Sequence, residues 1–283
     1  MYFEKIAHQH HINYIKHIDN EVTQYKVLPF QDPDRNHFDE RNISSGRIQF
    51  LIFHYTELNF NDTCEVFTNN AVQNRVSAHY VIPENSYEYV RFVSLDQRAW
   101  HAGVSSFASH QNLNDTSIGI EVVNAGLDLQ DNIQKWQPFD VIQIDLCGKI
   151  AQHVVKCYGI KPQYVLGHSD IAPTRKKDPG PLFPWGYLYK KYGIGAWLDE
   201  DEMDAAAIQK KYHPKCSLPS CLDVDFFTAQ LQVYGYSVNS HNYLDCLMAF
   251  KAHFCENGLN QRISKQLTYD DMFWIWALNS KYA

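Results

Sequence analysis

The sequence predicts an α/β fold, a mixed central sheet flanked by helices, followed by a small all-helical domain. Three observations predict it. Residues 48–56 form a near-continuous apolar run, the pattern of a central strand covered on both faces. Residues 140–158 place Ile144, Cys147, Ala151, Val154 and Tyr158 at three- and four-residue steps, the stripe of an amphipathic helix lying on a sheet. Beyond residue 200 the apolar spacing is helical on either side of a break at Pro214 to Pro219.

The elements follow in order. Residues 1–48 are polar, and Pro29 and Pro33 interrupt any helix, so an irregular N-terminal arm is expected, with His8, His10 and His11 as a solvated cluster. The run at 48–56 ends in His54. In open sheets, sites gather at strand C-termini. Residues 61–70 read as a short helix with Asp62 as its cap. Residues 77–82 and 87–93 read as two strands around a Pro-Glu-Asn-Ser turn. A loop from Trp100 leads towards residues 118–123, a strand with Glu121 in its interior, where a charge needs a partner or a job. The helix at 140–158 stops at Gly159. Lys161-Pro162 then opens a strand ending at Tyr164-Val165-Leu166, and the segment after it, with Pro173, Pro179 and Pro181, is a rigid loop carrying His168, Lys176 and Asp178. Residues 181–197 are aromatic and rich in Gly and Pro, and wrap the first domain. The composition shifts at Asp199-Glu200-Asp201-Glu202. We divide the chain there into residues 1–200 and residues 201–283, the second carrying three short helices marked by Phe227, Leu231 and Tyr234, by Leu244, Leu247, Phe250 and Phe254, and by Met272, Phe273 and Trp276.

Composition excludes several functions. The net charge of -7 argues against nucleic acid as a main partner. No apolar stretch reaches the roughly 20 residues needed to span a membrane. The residues after Met1 lack the apolar segment of a secretion signal, so either export does not use that route or a signal lies outside this sequence. Seven cysteines do not make a complete disulfide framework, although Cys216 and Cys221 could bridge a small loop in an oxidising compartment. Cys64 has no His at a nucleophile's spacing, and His153 lies off the apolar stripe of its helix.

With the strand ends assigned, His54, His168 and Asp178 form a two-nitrogen, one-oxygen set suited to Zn2+, with a fourth position left for water. Glu121 would be the general base for that water and Lys176 an electrophilic helper. Such a site hydrolyses an amide without a nucleophilic side chain.

Five blocks carry a family resemblance: Phe53-His54-Tyr55-Thr56; Val76-Ser77-Ala78-His79-Tyr80; Ala99-Trp100-His101-Ala102-Gly103; Leu113-Asn114-Asp115-Thr116-Ser117-Ile118-Gly119-Ile120-Glu121; and Gly167-His168-Ser169-Asp170-Ile171-Ala172-Pro173 continuing through Lys176 and Asp178-Pro179-Gly180-Pro181. In this order they resemble the type 2 N-acetylmuramoyl-L-alanine amidases, most of all the AmiD branch, over residues 48–198. The resemblance implies that His54, His168 and Asp178 hold zinc, that Glu121 is the catalytic acid/base and that Lys176 steadies the oxyanion. The reaction it implies is hydrolysis of the amide between the lactyl group of N-acetylmuramic acid and L-alanine in peptidoglycan or muropeptide fragments. Trp100 and His101 are candidate substrate contacts, since an aromatic face suits a pyranose. His79 reads equally as a contact or a structural strand residue, and Asn114 as a contact or a turn-former. The last helices resemble the peptidoglycan-binding unit that follows this domain in the same branch, though three helices also suffice as a stabilising appendage. The branch usually works in the periplasm, often anchored at the outer membrane, but no lipid-acceptor cysteine lies near Met1. Two rivals remain: a peptidoglycan-recognition protein that has lost hydrolysis, which would be expected to lack a zinc ligand, and a zinc peptidase for another amide.

Overall fold

The computed structural model describes residues 13–18, 21–23, 37–42, 44, 46–68, 75–84, 88–130, 133–254 and 263–282. His8, His10, His11, Pro29 and Pro33 lie outside the described residues. The strands are β1 (Asn13–Ile18), β2 (Glu21–Thr23), β3 (Phe38–Glu40), β4 (Phe50–Tyr55), β5 (Tyr80–Ile82), β6 (Glu88–Arg91), β7 (Gln97–Ala99), β8 (Ser106–Phe107), β9 (His110–Gln111), β10 (Ser117–Val122), β11 (Leu127–Gln130), β12 (Ile133–Trp136) and β13 (Val165–Gly167). The helices are α1 (Phe60–Thr68), α2 (Val141–Tyr158), α3 (His168–Ile171), α4 (Trp185–Tyr192), α5 (Ala205–Tyr212), α6 (Val224–Tyr234), α7 (Tyr243–Phe254) and α8 (Tyr269–Tyr282).

The main sheet runs β13-β4-β10-β5-β6-β1-β2. Its first four strands are parallel and the rest antiparallel, so the sheet is mixed as the sequence predicts. All six residues of β4 and of β10 are buried, which explains why the run at 48–56 does not alternate. α2 packs across β4, β10 and β5. Its ends are those the sequence marks. Asp140 accepts the backbone N–H groups of Ile142 and Gln143, and Gly159 closes the helix at φ 63°, a left-handed conformation that favours glycine. On the other face α1 covers a smaller cluster with Cys64, Phe67, Val81 and Val90.

Four expectations change. The N-terminal region is not wholly irregular: β1 pairs with β6 and β2 with β1, which extends the sheet, because an exposed edge offers unpaired backbone groups to any extended segment. The cap of α1 is Asn59, whose Oδ1 accepts the N–H of Asp62, while Asp62 sits in the first turn and receives the Asn59 amide. His168 opens a four-residue helix rather than a loop, and residues 185–192 are helical despite their Gly and aromatic content. Cys216 and Cys221, for which a bridge was only one possibility, are free thiols.

The C-terminal helices are not a detached unit. One continuous core includes Phe53, Ile150 and Trp197 together with Leu231, Phe250 and Trp276. The seam is also polar. Asp170 of α3, buried, accepts the Tyr236 hydroxyl at 2.5 Å and the His253 Nδ1–H at 2.7 Å, while its Oδ2 also takes the N–H of Gly167 at 2.7 Å. His253 stacks on Trp185 at 3.8 Å between ring centroids. Further out, Lys281 of α8 bonds Asp199 and the fully buried Glu202, which Lys211 also reaches. The last helices therefore grip the turn that follows β13.

A buried acceptor stripped of one donor costs about 1–3 kcal/mol. Tyr236→Phe, which removes only the hydroxyl on Asp170, should lower unfolding free energy by that amount in urea titrations, with an unchanged denaturant slope. A loss below about 0.5 kcal/mol, the scale of an ordinary surface substitution, would mean that this seam does not bear on stability.

Candidate active site

The parallel strands deliver the site. His54 and Glu121 are paired in register on β4 and β10, so their side chains emerge side by side on the same face, near the C-terminal ends of both strands. β13, on the other side of β4, ends at Gly167, and His168 begins α3 immediately beyond it. Asp178 returns on the Pro-rich segment, where its carbonyl accepts the N–H of Ser169 at 2.9 Å. The three residues thus come from three separate stretches of chain.

Their polar atoms converge. His54 Nδ1, His168 Nδ1 and Asp178 Oδ2 are each 3.0 Å from the other two, and all three residues are buried. The neighbours of these residues determine where the protons are. His168 Nε2–H donates to the carbonyl of Ala102 at 3.1 Å, which leaves Nδ1 as a lone pair. Ser117 donates its hydroxyl to Leu113 O at 2.6 Å, so its oxygen accepts from His101 Nε2 at 3.1 Å. His101 Nδ1 in turn accepts from His54 Nε2 at 3.0 Å, and His54 Nδ1 is also a lone pair.

Burial, aided by the neighbouring His168, lowers the His54 pKa to about 4, consistent with a neutral ring. Burial alone would raise Asp178, but His168 and His54 hold it well below the carboxylate range. Three acceptors therefore face one another without a proton between them. That is the donor set of a cation site, and these residues could hold a metal ion.

Glu121 and Lys176 line the same cleft, an open space of about 610 Å³ walled by Tyr55, Glu57, Leu58 and the α1 residues Thr63, Val66 and Phe67. Glu121 Oε2 is buried with no hydrogen-bond partner among the described residues. Burial first, and then the charge of Asp178, push its pKa well above the ordinary carboxylate value. A carboxyl so placed is suited to hold and pass a proton.

The structure brings His54, His168, Asp178, Glu121 and Lys176 together, and His101 lies at their edge. The remaining candidates sit behind the site. Asn114, buried, accepts the backbone N–H groups of His101 and Ala102 through Oδ1 at 3.1 and 2.7 Å, so its side chain pins the loop instead of facing the cleft. His79, fully buried, accepts the N–H of Gly119 at Nδ1 and donates from Nε2 to the carbonyl of Gln97. Trp100 lies under Arg98 and Arg75, with their guanidinium carbons 3.9 and 4.8 Å from the ring centroid, and does not line the cleft.

Three participants escape a reading by residue type. Arg175, in a basic run that looks solvated, donates to the carbonyls of Ala102 and Val104. Ser117 and Gly119 share a strand face with Glu121, and the period of two in Ser117-Ile118-Gly119-Ile120-Glu121 was the available signal. Gly119 is required by space: a Cβ there would lie 2.5 Å from Cγ of the His101 ring.

The comparisons with known proteins agree with this geometry. The sequence pattern of the N-acetylmuramoyl-L-alanine amidase family matches residues 44–181. The chain is 35% identical over 218 residues to N-acetylmuramoyl-L-alanine amidase AmiD of Escherichia coli, covering 74% of this chain and 75% of that one. It is 40% identical over 111 residues to 1,6-anhydro-N-acetylmuramyl-L-alanine amidase AmpD of the same organism, covering 39% and 55%. Among solved structures, E. coli AmiD in complex with anhydro-N-acetylmuramic acid-L-Ala-D-gamma-Glu-L-Lys superposes with a TM-score of 0.71 at 29% identity, covering 95% of this chain and 98% of that one. AmpDh3 from Pseudomonas aeruginosa superposes with a TM-score of 0.69 at 34% identity, covering 84% and 93%. A matching fold over nearly the whole chain, a sequence match over three quarters of AmiD, and a cleft carrying a cation-ready His-His-Asp set place the chain in the N-acetylmuramoyl-L-alanine amidase family, as an enzyme of that activity.

Proposed function

We propose that the protein is a zinc-dependent amidase that hydrolyses the bond between the lactyl carbonyl of N-acetylmuramic acid and L-alanine in peptidoglycan or muropeptide stem peptides. It does so during cell-wall remodelling or recycling in the periplasm. The observation that carries the zinc requirement is the group of three lone pairs, from His54, His168 and Asp178, each 3.0 Å from the others. Two neutral imidazoles and one carboxylate suit zinc, and leave a position for water. The periplasmic location rests on the resemblance to the AmiD branch.

When bound, the ion polarises the amide carbonyl and acidifies water. The chain's own groups do the rest. Glu121, ionised as substrate enters, takes a proton from the attacking water at Oε2, the oxygen with no hydrogen-bond partner among the described residues. It then gives that proton to the departing alanine nitrogen as the C–N bond breaks. The products are the lactyl carboxylic acid and a free stem-peptide amine. Lys176 places a positive charge beside the carbonyl oxygen as negative charge develops there, a contribution worth about 10²–10³ in rate for comparable donors. The partly apolar walls of the cleft, among them Leu58, Val66 and Phe67, limit water around these charges.

Incubation with anhydro-N-acetylmuramic acid-L-Ala-D-γ-Glu-L-Lys, the molecule bound in the AmiD structure, tests this reading. Free tripeptide should appear in the zinc-loaded sample and vanish after chelation, and intact substrate in both samples would end the proposal. Glu121→Gln should keep zinc and lose about 10²–10⁴ in turnover, the span of general acid–base catalysis.

The raised pKa of Glu121 has a stability counterpart in the metal-free protein. The folded state holds this proton to higher pH than the unfolded chain, whose value is near 4.5, so stability falls as pH rises from there towards the folded value. Glu121→Gln removes that loss. Its melting temperature relative to the parent should therefore increase from pH 4 to pH 8, and a difference that is flat across pH would contradict the assigned shift.

A further inference from the structure

We propose that Ser117 and His101 form a proton-fixing relay that holds His54 in the tautomer with a bare Nδ1, making Ser117, which touches neither the cleft nor a ligand atom, a positioning residue for the metal. The inference rests on the zinc reading above, but concerns which hydrogen sits where before any ion binds.

Each link follows from what its atoms can do. The carbonyl of Leu113 can only accept, so the 2.6 Å contact uses the Ser117 hydroxyl proton. With its proton directed there, Ser117 Oγ must accept from His101 Nε2 across 3.1 Å. A neutral imidazole protonated at Nε2 has a lone pair at Nδ1, which faces His54 Nε2 at 3.0 Å. His54 therefore carries its proton on Nε2, and Nδ1 turns bare towards Asp178 and His168. The reverse arrangement fails at the first step: a proton on His101 Nδ1 would leave Ser117 Oγ facing two acceptors with one hydrogen. It would also put the His54 proton on Nδ1, in the middle of the three-acceptor cluster.

The surroundings hold the relay in place. Asn114 fixes the backbone on either side of the His101–Ala102 peptide. The missing side chain of Gly119 leaves the space that the His101 ring fills, directly between Ser117 and His54 on the same sheet face. The adjoining carbonyl, Ala102 O, sets the tautomer of His168 in the same sense. Two consecutive residues thus orient both histidine ligands, and His101 is 6% exposed with both ring nitrogens engaged, which leaves it little to offer a substrate.

The test uses full-length metal-free protein with 15N-labelled histidine. Long-range 1H–15N spectra report directly which ring nitrogen is protonated, and zinc affinity is measured by competition with a chromophoric chelator. In the parent, His54 should show a pyridine-type Nδ1 and a protonated Nε2. Ser117→Ala should bring a population protonated at Nδ1 and weaken zinc binding about 10- to 100-fold, the usual effect of losing a partner behind a ligand. His101→Phe should do the same. His101→Asn, whose Oδ1 can replace the Nδ1 acceptor, should keep the parent tautomer and bind within a few-fold of the parent. A parent spectrum with His54 protonated at Nδ1 would overturn the relay, and so would Ser117→Ala and His101→Phe variants that match the parent in both tautomer and affinity. If the parent binds no zinc while His54 shows the expected tautomer, the zinc reading fails and the relay stands.

Discussion

Three hydrogen-bond acceptors are held 3.0 Å apart with no hydrogen among them. Left to itself such a group would spread or take up a proton, because buried lone pairs repel and an ionised carboxylate wants donors. The fold prevents both. Each acceptor is the terminus of a rigid element: His54 ends a strand buried on both faces, His168 starts a helix fixed to β13, and Asp178 is tied by its carbonyl to Ser169. The outer ring nitrogens are occupied by His101 and by the carbonyl of Ala102, so neither ring can rotate without breaking a buried bond. Much of the structure around the cleft, including Asn114, Arg175 and Gly119, keeps residues 101–104 where those bonds require them.

The same constraint gives the C-terminal helices a part in the site. α3 is only four residues long and has little stability of its own. Asp170 in that helix is gripped by Tyr236 and His253, and the same carboxylate caps Gly167, the residue before His168. A ligand-bearing turn is thus braced by residues more than 60 positions later in the chain. Across the composition change near residue 200, Trp197, Leu231 and Phe250 belong to one buried cluster.

What the sequence made legible was whatever depends on local periodicity and chain punctuation. The buried run of β4, the stripe of α2 with its Asp140 and Gly159 ends, and the late helices are all set by nearest neighbours and by the face they bury. The convergence of His54, His168 and Asp178 was legible because strand ends are where sites collect, and because five motif blocks agreed. The partners of the other polar residues in those blocks were not. His79, Asn114, Ser117 and Arg175 have partners that lie 12 to 73 positions away on neighbouring loops and strands. Trp100 shows a related limit: only the folded chain shows the arginines packed against its ring. β1 and β2 have no apolar run to announce them, because an edge position is filled mainly through backbone pairing.

Two buried carboxyl groups in one cleft are pushed in opposite directions, and the asymmetry explains how one site can hold a cation and move a proton. Asp178 lies against two imidazoles, which hold it ionised in spite of its burial. Glu121 is equally buried but has no donor on Oε2, and the charge on Asp178 adds to the cost of ionising it. A cation held by His54, His168 and Asp178 would favour ionisation of Glu121 as well, lowering its proton affinity. Lys176 pulls Glu121 in the same direction from the side of the cleft. On this view the register that pairs Glu121 with His54 matters more than the identity of any one residue. A slip of one position on β10 would turn Glu121 away from the cleft and set a branched aliphatic side chain beside His54, removing the proton carrier while leaving the three ligands untouched.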